Sequence, residues 1–178
     1  MATGPRYQVG YRRKRDHKTN YKTRIRILQS GLPRLVVRPS NKHMLVELVT
    51  YRQDGDHVDA TSTSKELVKN GWKHGTGNLP AAYLTGFMCG IKGRKKKIEE
   101  AILDFGMNTS VKGSRIYAAL KGALDAGLKI VHDEKMLPPE DRIKGVHIAS
   151  HNSKSKDITL DLAKIKEKIE NDLKKQEG

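Results

Sequence analysis

The sequence has a single cysteine, Cys89, so no internal disulfide can form, and a reducing compartment is expected. Aromatic residues make up 5 % of the 178 positions and hydrophobic residues 36 %, below the roughly 45–50 % of an average globular chain counted with glycine. A packed core is therefore expected only if part of the chain stays outside it. Apolar runs stop after a few residues, as at Leu35–Val37 and Met44–Val46. A membrane helix needs about 20 such residues, so no spanning segment is predicted. The N-terminus carries charge with no apolar stretch behind it, which predicts no secretory signal. Acid is nearly missing from the first 42 positions, where Asp16 stands alone against twelve Lys and Arg; this segment supplies +11 of the chain's formal +15. A short chain so charged points to a polyanionic partner, most often nucleic acid, with an acidic membrane surface as the competitor.

The cations are interleaved with aromatics. Arg6 precedes Tyr7, Tyr11 precedes Arg12, Arg13, Lys14 and Arg15, and Lys18, Tyr21, Lys22, Arg24 and Arg26 follow. Guanidinium and ammonium groups bind phosphate, and aromatic faces stack on unpaired bases, so this pattern suits RNA. A membrane-surface helix would need an apolar face rich in Leu, Phe or Trp, which the segment lacks. Residues 1–20 show neither helical nor strand periodicity and read as an extended arm. A second basic knot, Lys92 to Lys97, sits where a helix would end, a place that suits cations in any case.

Tyr21 to Ser30 reads as a short helix stopped by Gly31. Pro33 to Pro39 and His43 to Tyr51 read as hairpin-linked strands. Met44, Val46 and Leu48 fall on one face, Leu45 and Val49 on the other, as in a central strand covered on both sides. A third strand is expected over His57 to Thr61. Thr63 to Glu66 has the pattern of a capping box. Asn78 and Pro80 open a helix whose apolar stripe is Ala81, Leu84, Met88 and Ile91. Ala101 to Phe105 is the expected parallel strand after it. Ser114 is placed as the cap of a helix closed by Gly127, and Pro138-Pro139 as the start of another running from Glu140 to about Ser150. Residues 151–157 read as a linker. Beyond it, Ile158, Leu162, Ile165, Ile169 and Leu173 mark an amphipathic helix long enough to stand off the body. A soluble monomer would not leave that stripe wet, so it is expected against a neighbour or back on the body.

Catalytic patterns are weak. Gly75-Thr76-Gly77 is a fragment of a phosphate loop without the rest of the motif, and turn chemistry explains it. His147 and His151 are four apart, but no Cys or further His joins them as zinc ligands. Cys89 has no His nearby in sequence and reads as a buried small residue. Asp104, Asp125 and Asp141 are the carboxylates that could gather a divalent ion for RNA cleavage. A metal-dependent nuclease is thus the alternative to a binding protein, although Asp104 reads better as a strand-end cap. No cofactor and no metal are expected.

Three stretches are more specific: Arg34 to His43, Gly71 to Gly86, and Lys112 to Gly127. Together they closely resemble the ribosomal large-subunit family numbered eighteen in the universal scheme, over about Tyr7 to Ser150, with the chain length favouring its archaeal form. The resemblance implies a three-layer α/β/α sandwich on a mixed central sheet, of ribonuclease-H-like topology but non-catalytic. The expected division is a basic N-terminal RNA-binding arm (1–30), a globular domain (31–150), and a linker with a C-terminal helix (151–178), the last lying beyond the resemblance. The resemblance implies binding to 5S ribosomal RNA in the central protuberance. Expected partners are the large-subunit, 23S-type RNA and neighbouring proteins, including the fifth universal one. Besides the arm, the resemblance assigns Arg38, Ser40, Asn41, Lys42 and His43, then Gly113, Ser114 and Arg115, to RNA; Arg34, Trp72, Lys73 and Lys112, from the same stretches, complete the expected contact set.

Overall fold

The computed structural model describes residues 4–152 and 155–174, with side chains to Asn171. Residues 1–3 of the expected arm, Ser153 and Lys154 of the expected linker, and the Leu173 side chain lie outside the described residues.

After a helical turn, α1 (Arg12–Arg15), and a short helix, α2 (Tyr21–Leu28), the chain forms β1 (Arg34–Pro39), β2 (Met44–Arg52) and β3 (Gly55–Thr63). Then follow α3 (Ser64–Lys69), α4 (Leu79–Lys95), β4 (Glu100–Asp104), α5 (Arg115–Asp125) and β5 (Lys129–Ile130). A 3₁₀ turn at Glu134–Met136 leads to α6 (Glu140–Lys144), α7 (Val146–His151) and α8 (Ile158–Lys174). The sheet order is β3-β2-β1-β4-β5. The β1–β2 and β2–β3 pairs are antiparallel, whereas β4 runs parallel to both β1 and β5. This mixed sheet with flanking helices is an α/β sandwich.

Local signals set the element ends. Glu66 Oε1 accepts the backbone N–H of Thr63 at 2.9 Å at the head of α3. Asn78 Oδ1 accepts that of Ala81 at 2.9 Å at the head of α4. The strand pattern places Leu35, Val37, Val46 and Leu48 on the face that packs on α4 and α5, in one core with Ala82, Cys89, Ala119 and Leu120. On the opposite face of β1 and β2, Val36 and Val49 are also buried, so these strands are covered on both sides at this end.

Helix α4 is buried almost all round from Leu79 to Gly90. The stripe legible in the sequence faces away from the sheet, into a second core with Leu67, Trp72, Ile143 and Ile158. Its other faces are made close-fitting by glycine. A Cβ at Gly86 would run into the Ala119 backbone, one at Gly122 of α5 into the Tyr83 carbonyl, and one at Gly93 into Leu48. Hydrophobic periodicity cannot register such positions.

Three expectations are corrected. Residues 12–15 form a helical turn in what was expected to be an extended arm, with the Asp16 N–H bonded to the Arg12 carbonyl. The helix expected over 140–150 is broken at Gly145, whose φ of +79° ends α6 before α7 begins. Helix α8 does not stand off; of the two placements expected for its stripe, the one back on the body is observed. Ile158, Leu162, Ile165 and Ile169 are buried in the second core, because burying each such side chain gains about 1.5–3 kcal/mol that a free helix would forgo.

Candidate nucleic-acid interface

The three motif stretches meet at one end of the sheet. The β1–β2 turn is closed by Ser40, whose Oγ donates to the His43 carbonyl at 2.8 Å and accepts the His43 N–H at 3.0 Å. The loop before α4 lies against this turn. Thr76 Oγ1 donates to the Lys42 carbonyl at 2.7 Å and lies 3.0 Å from His43 Nδ1. The hydroxyl has one proton, and it goes to Lys42, so His43 Nδ1 is the donor to Thr76. Gly77 is required here, since a Cβ would sit 2.8 Å from the Asn41 carbonyl. Arg115, in the first turn of α5, donates to the carbonyls of Ser40 and Gly77, each at 2.9 Å. One guanidinium thus clasps turn and loop. Around the clasp Asn41, Lys42, Lys73 and Lys112 are exposed, and the three lysines make no ion pair among the described residues.

The basic arm lies over the second face of the sheet. Arg34 Nη1 donates to Asp104 at 2.8 Å and Nη2 to Asp56 at 2.7 Å. Asp56 also accepts from Arg24 at 2.8 Å, which ties α2 to the start of β3. Burial alone would raise the Asp56 pKa, but the hydrogen bonds and charges of Arg24 and Arg34 outweigh it and hold the carboxyl below its ordinary value. Arg13 Nε donates to Thr19 Oγ1 at 2.8 Å, and Asn20 caps α2 through the Thr23 N–H at 3.2 Å. Arg13, Lys18, Arg24 and Arg38 converge on a small recess beside Asp104 and Gly106. Arg6, Tyr7, Tyr11, Arg12, Lys14, Arg15, Lys22 and Arg26 are exposed, and Tyr21 is half-buried. The rings of Tyr11 and Tyr21 lie 5.1 Å apart.

Several residues assigned to RNA from the sequence serve the fold instead. Arg34 is 3 % exposed and spent on two carboxylates, so it is withdrawn from the contact set. Trp72 is withdrawn too: it is 2 % exposed in the second core, its indole N–H donating to the Gly75 carbonyl at 3.1 Å. Arg24 and Arg115 are committed to Asp56 and to the clasp. The N–H of Gly113 is taken by the Met136 carbonyl at 3.0 Å, and its φ of +66° is what calls for glycine. Ser114 caps α5 without a side-chain bond, its buried Oγ having no partner among the described residues. Asp56 was not singled out in the sequence, and Thr76 was read there only as part of a turn. Each works through contacts some 30 residues away, which no local pattern announces.

The carboxylates do not assemble. Asp104 binds Arg34 and the Gly106 N–H at 2.9 Å. Asp125 takes the Tyr83 hydroxyl at 2.8 Å and Lys121 at 3.0 Å. Among the described residues no group of three His, Cys, Asp or Glu could hold a metal ion. Burial pushes the Cys89 thiol up to about 12, which leaves no thiolate at neutral pH.

The arrangement is a basic, aromatic-bearing surface on a rigid α/β body, the class of a polyanion-binding protein built to hold a shape. Comparison with known proteins identifies its kind. The family model described as ribosomal large subunit proteins 60S L5 and 50S L18 matches residues 5–100 and 91–133. The large ribosomal subunit protein uL18 of Methanoregula boonei is 45 % identical over 173 residues, 97 % of this chain and 99 % of that protein. Those of Haloferax mediterranei and Korarchaeum cryptofilum are each 50 % identical, over 85 % and 86 % of this chain and 82 % and 79 % of theirs. The chain belongs to this 60S L5 and 50S L18 family, whose members are structural and non-enzymatic ribosomal proteins.

Proposed function

We propose that this chain is a constituent of the large subunit of the cytoplasmic ribosome, binding 5S ribosomal RNA and helping to attach it to the 23S-type RNA in the central protuberance. Its protein neighbours there include the fifth universal large-subunit protein. In this reading residues 1–30 are the RNA arm, 31–150 the body and 151–178 the C-terminal element. The strand order supports a ribonuclease-H-like sheet used as a scaffold. The observation that carries the reading is the placement of the +11 segment: Arg24 and Arg34 anchor it to the sheet, while Arg12, Lys14, Arg15, Lys22 and Arg26 stay exposed. Phosphate contacts by such groups supply affinity, and shape outweighs base readout.

The test is a salt titration of binding to 5S ribosomal RNA, with transfer RNA as competitor. Each lost phosphate contact lowers the log–log salt slope by roughly 0.7–0.9. Changing Arg12, Arg13, Lys14 and Arg15 together to Gln is expected to lower it by about 3 while the fold is kept. An unchanged slope in the folded variant, or equal competition by transfer RNA, would refute the proposal.

A further inference from the structure

We propose that Tyr11, Tyr21 and Met107 form the seat of one unpaired nucleobase of the bound RNA; this rests on the RNA-binding reading above and names what the arm grips. Tyr11 precedes α1, Tyr21 opens α2, and Met107 comes from the β4–α5 loop, so arm and body build the site together. Tyr11 is 72 % and Met107 51 % exposed, large apolar surfaces left in water, and both line one cleft. The cleft encloses about 340 Å³, and its walls are mostly apolar. Lys14, His17 and Lys22 also line it, and no carboxylate among the described residues does.

The seat is preformed. The turn of α1 and the left-handed His17, at φ +50°, fold the chain back so that the two tyrosine rings lie 5.1 Å apart. A methionine thioether adapts to a flat π-face, and tyrosine offers a rigid one. Two acceptors at the cleft are already engaged, Thr19 Oγ1 by Arg13 and Asn20 Oδ1 by the Thr23 N–H. The apolar walls grip the flat face of a base, and donors are left to meet its edge. Charge selects the occupant. A nucleotide brings a flat ring and a phosphate in one unit, matching apolar walls and cations together. An apolar peptide side chain would leave the cations unmatched.

The experiment uses the full chain and 5S ribosomal RNA bearing an abasic site at each unpaired position in turn. Base–aromatic stacking implies a loss of roughly 5- to 150-fold in Tyr21→Ala; Met107→Ala is expected to weaken binding too, and the salt slope is expected to be unchanged in both. Met107→Leu, which keeps volume and apolarity, is expected to bind as wild type. One abasic position is expected to weaken wild type by the same factor and to have no further effect on Tyr21→Ala. The proposal is overturned if both alanine variants bind as wild type, including the outcome in which they lose a neighbouring ribosomal protein instead. It is overturned equally if no abasic position is coupled to Tyr21. If wild type fails to bind 5S ribosomal RNA, the functional reading falls. The seat is then judged on a single-stranded adenylate octamer, and equal binding by wild type and Tyr21→Ala refutes it.

Discussion

Arg34 and Asp104 form a buried ion pair across the parallel β1–β4 ladder, Nη1 to Oδ2 at 2.8 Å, with the arginine only 3 % exposed. The guanidinium also holds Asp56, so one residue joins the sheet's parallel half to the hairpin tip on which the arm is anchored.

Removing that charge strands a buried carboxylate. Arg34→Met is expected to destabilise the protein by about 3–5 kcal/mol in denaturant titrations, because the partner charge is left uncompensated. Binding measured where the variant is still folded should keep the wild-type salt slope. A variant of full stability whose slope falls by one contact would place Arg34 on phosphate after all.

Asp56 gives the acid limb a sign. Its folded pKa is lowered from the ordinary 3.8, so its contribution is complete above that value and is lost as pH falls through the lower folded value. Asp56→Asn is expected to flatten the loss of stability below about pH 4 relative to wild type. Thermal melts from pH 6 downward would show parallel curves for the two proteins if the Arg24 and Arg34 contacts were idle.

Gly86 sets two effects against each other. Alanine is better than glycine inside a helix by about 1 kcal/mol, which by itself predicts stabilisation. Its Cβ would meet the Ala119 backbone, which cannot swing aside as a flexible side chain would. Overpacking of this kind costs about 1–3 kcal/mol, so Gly86→Ala is expected to lower the melting temperature. A rise would mean that the α4–α5 contact is looser than the structure indicates.

Helix α8 is tied to the body by more than its stripe. His74 Nε2 lies 3.0 Å from Asp161 Oδ2, and Lys168 donates to the Asn70 carbonyl at 3.2 Å. Ile165→Ala is expected to cost about 2–5 kcal/mol of global stability, in one cooperative transition. Trp72 shares that core, so its fluorescence and the far-ultraviolet dichroism should move together. A separate early transition of the helix alone would show that α8 is not part of the cooperative unit.

Much of the fold was legible because its cues are local. The Thr63–Glu66 box, the Asn78 cap, the β1–β2 hairpin and the strand after α4 all depend on residues a few positions apart. The close faces of α4 were not legible, because Gly86, Gly90 and Gly93 carry no apolar signal and matter only for what lies opposite. The break at Gly145 was missed for a similar reason: a glycine in a helical pattern ends the helix only where the chain must turn, here against Pro80 and Ile158. In the basic segment charge and aromatic content were plain, but which cations are spent inside the protein was not. Arg34 and Arg38 look alike in sequence, yet only Arg34 meets two carboxylates.

By itself the sequence determined that this protein faces a polyanion, since net charge and its crowding into the first 42 residues are sums over side chains and need no fold. It also determined the family, through three motif strings. Only the tertiary structure decided how those strings work, with Arg115 clasping Ser40 to Gly77 and Thr76 meeting His43, and how Tyr11 and Tyr21 of the basic segment come to line one cleft with Met107. The physical reason is range. Charge acts over a Debye length and accumulates wherever the residues lie, whereas a hydrogen bond or a stacked ring needs ångström-scale placement, which only packing supplies.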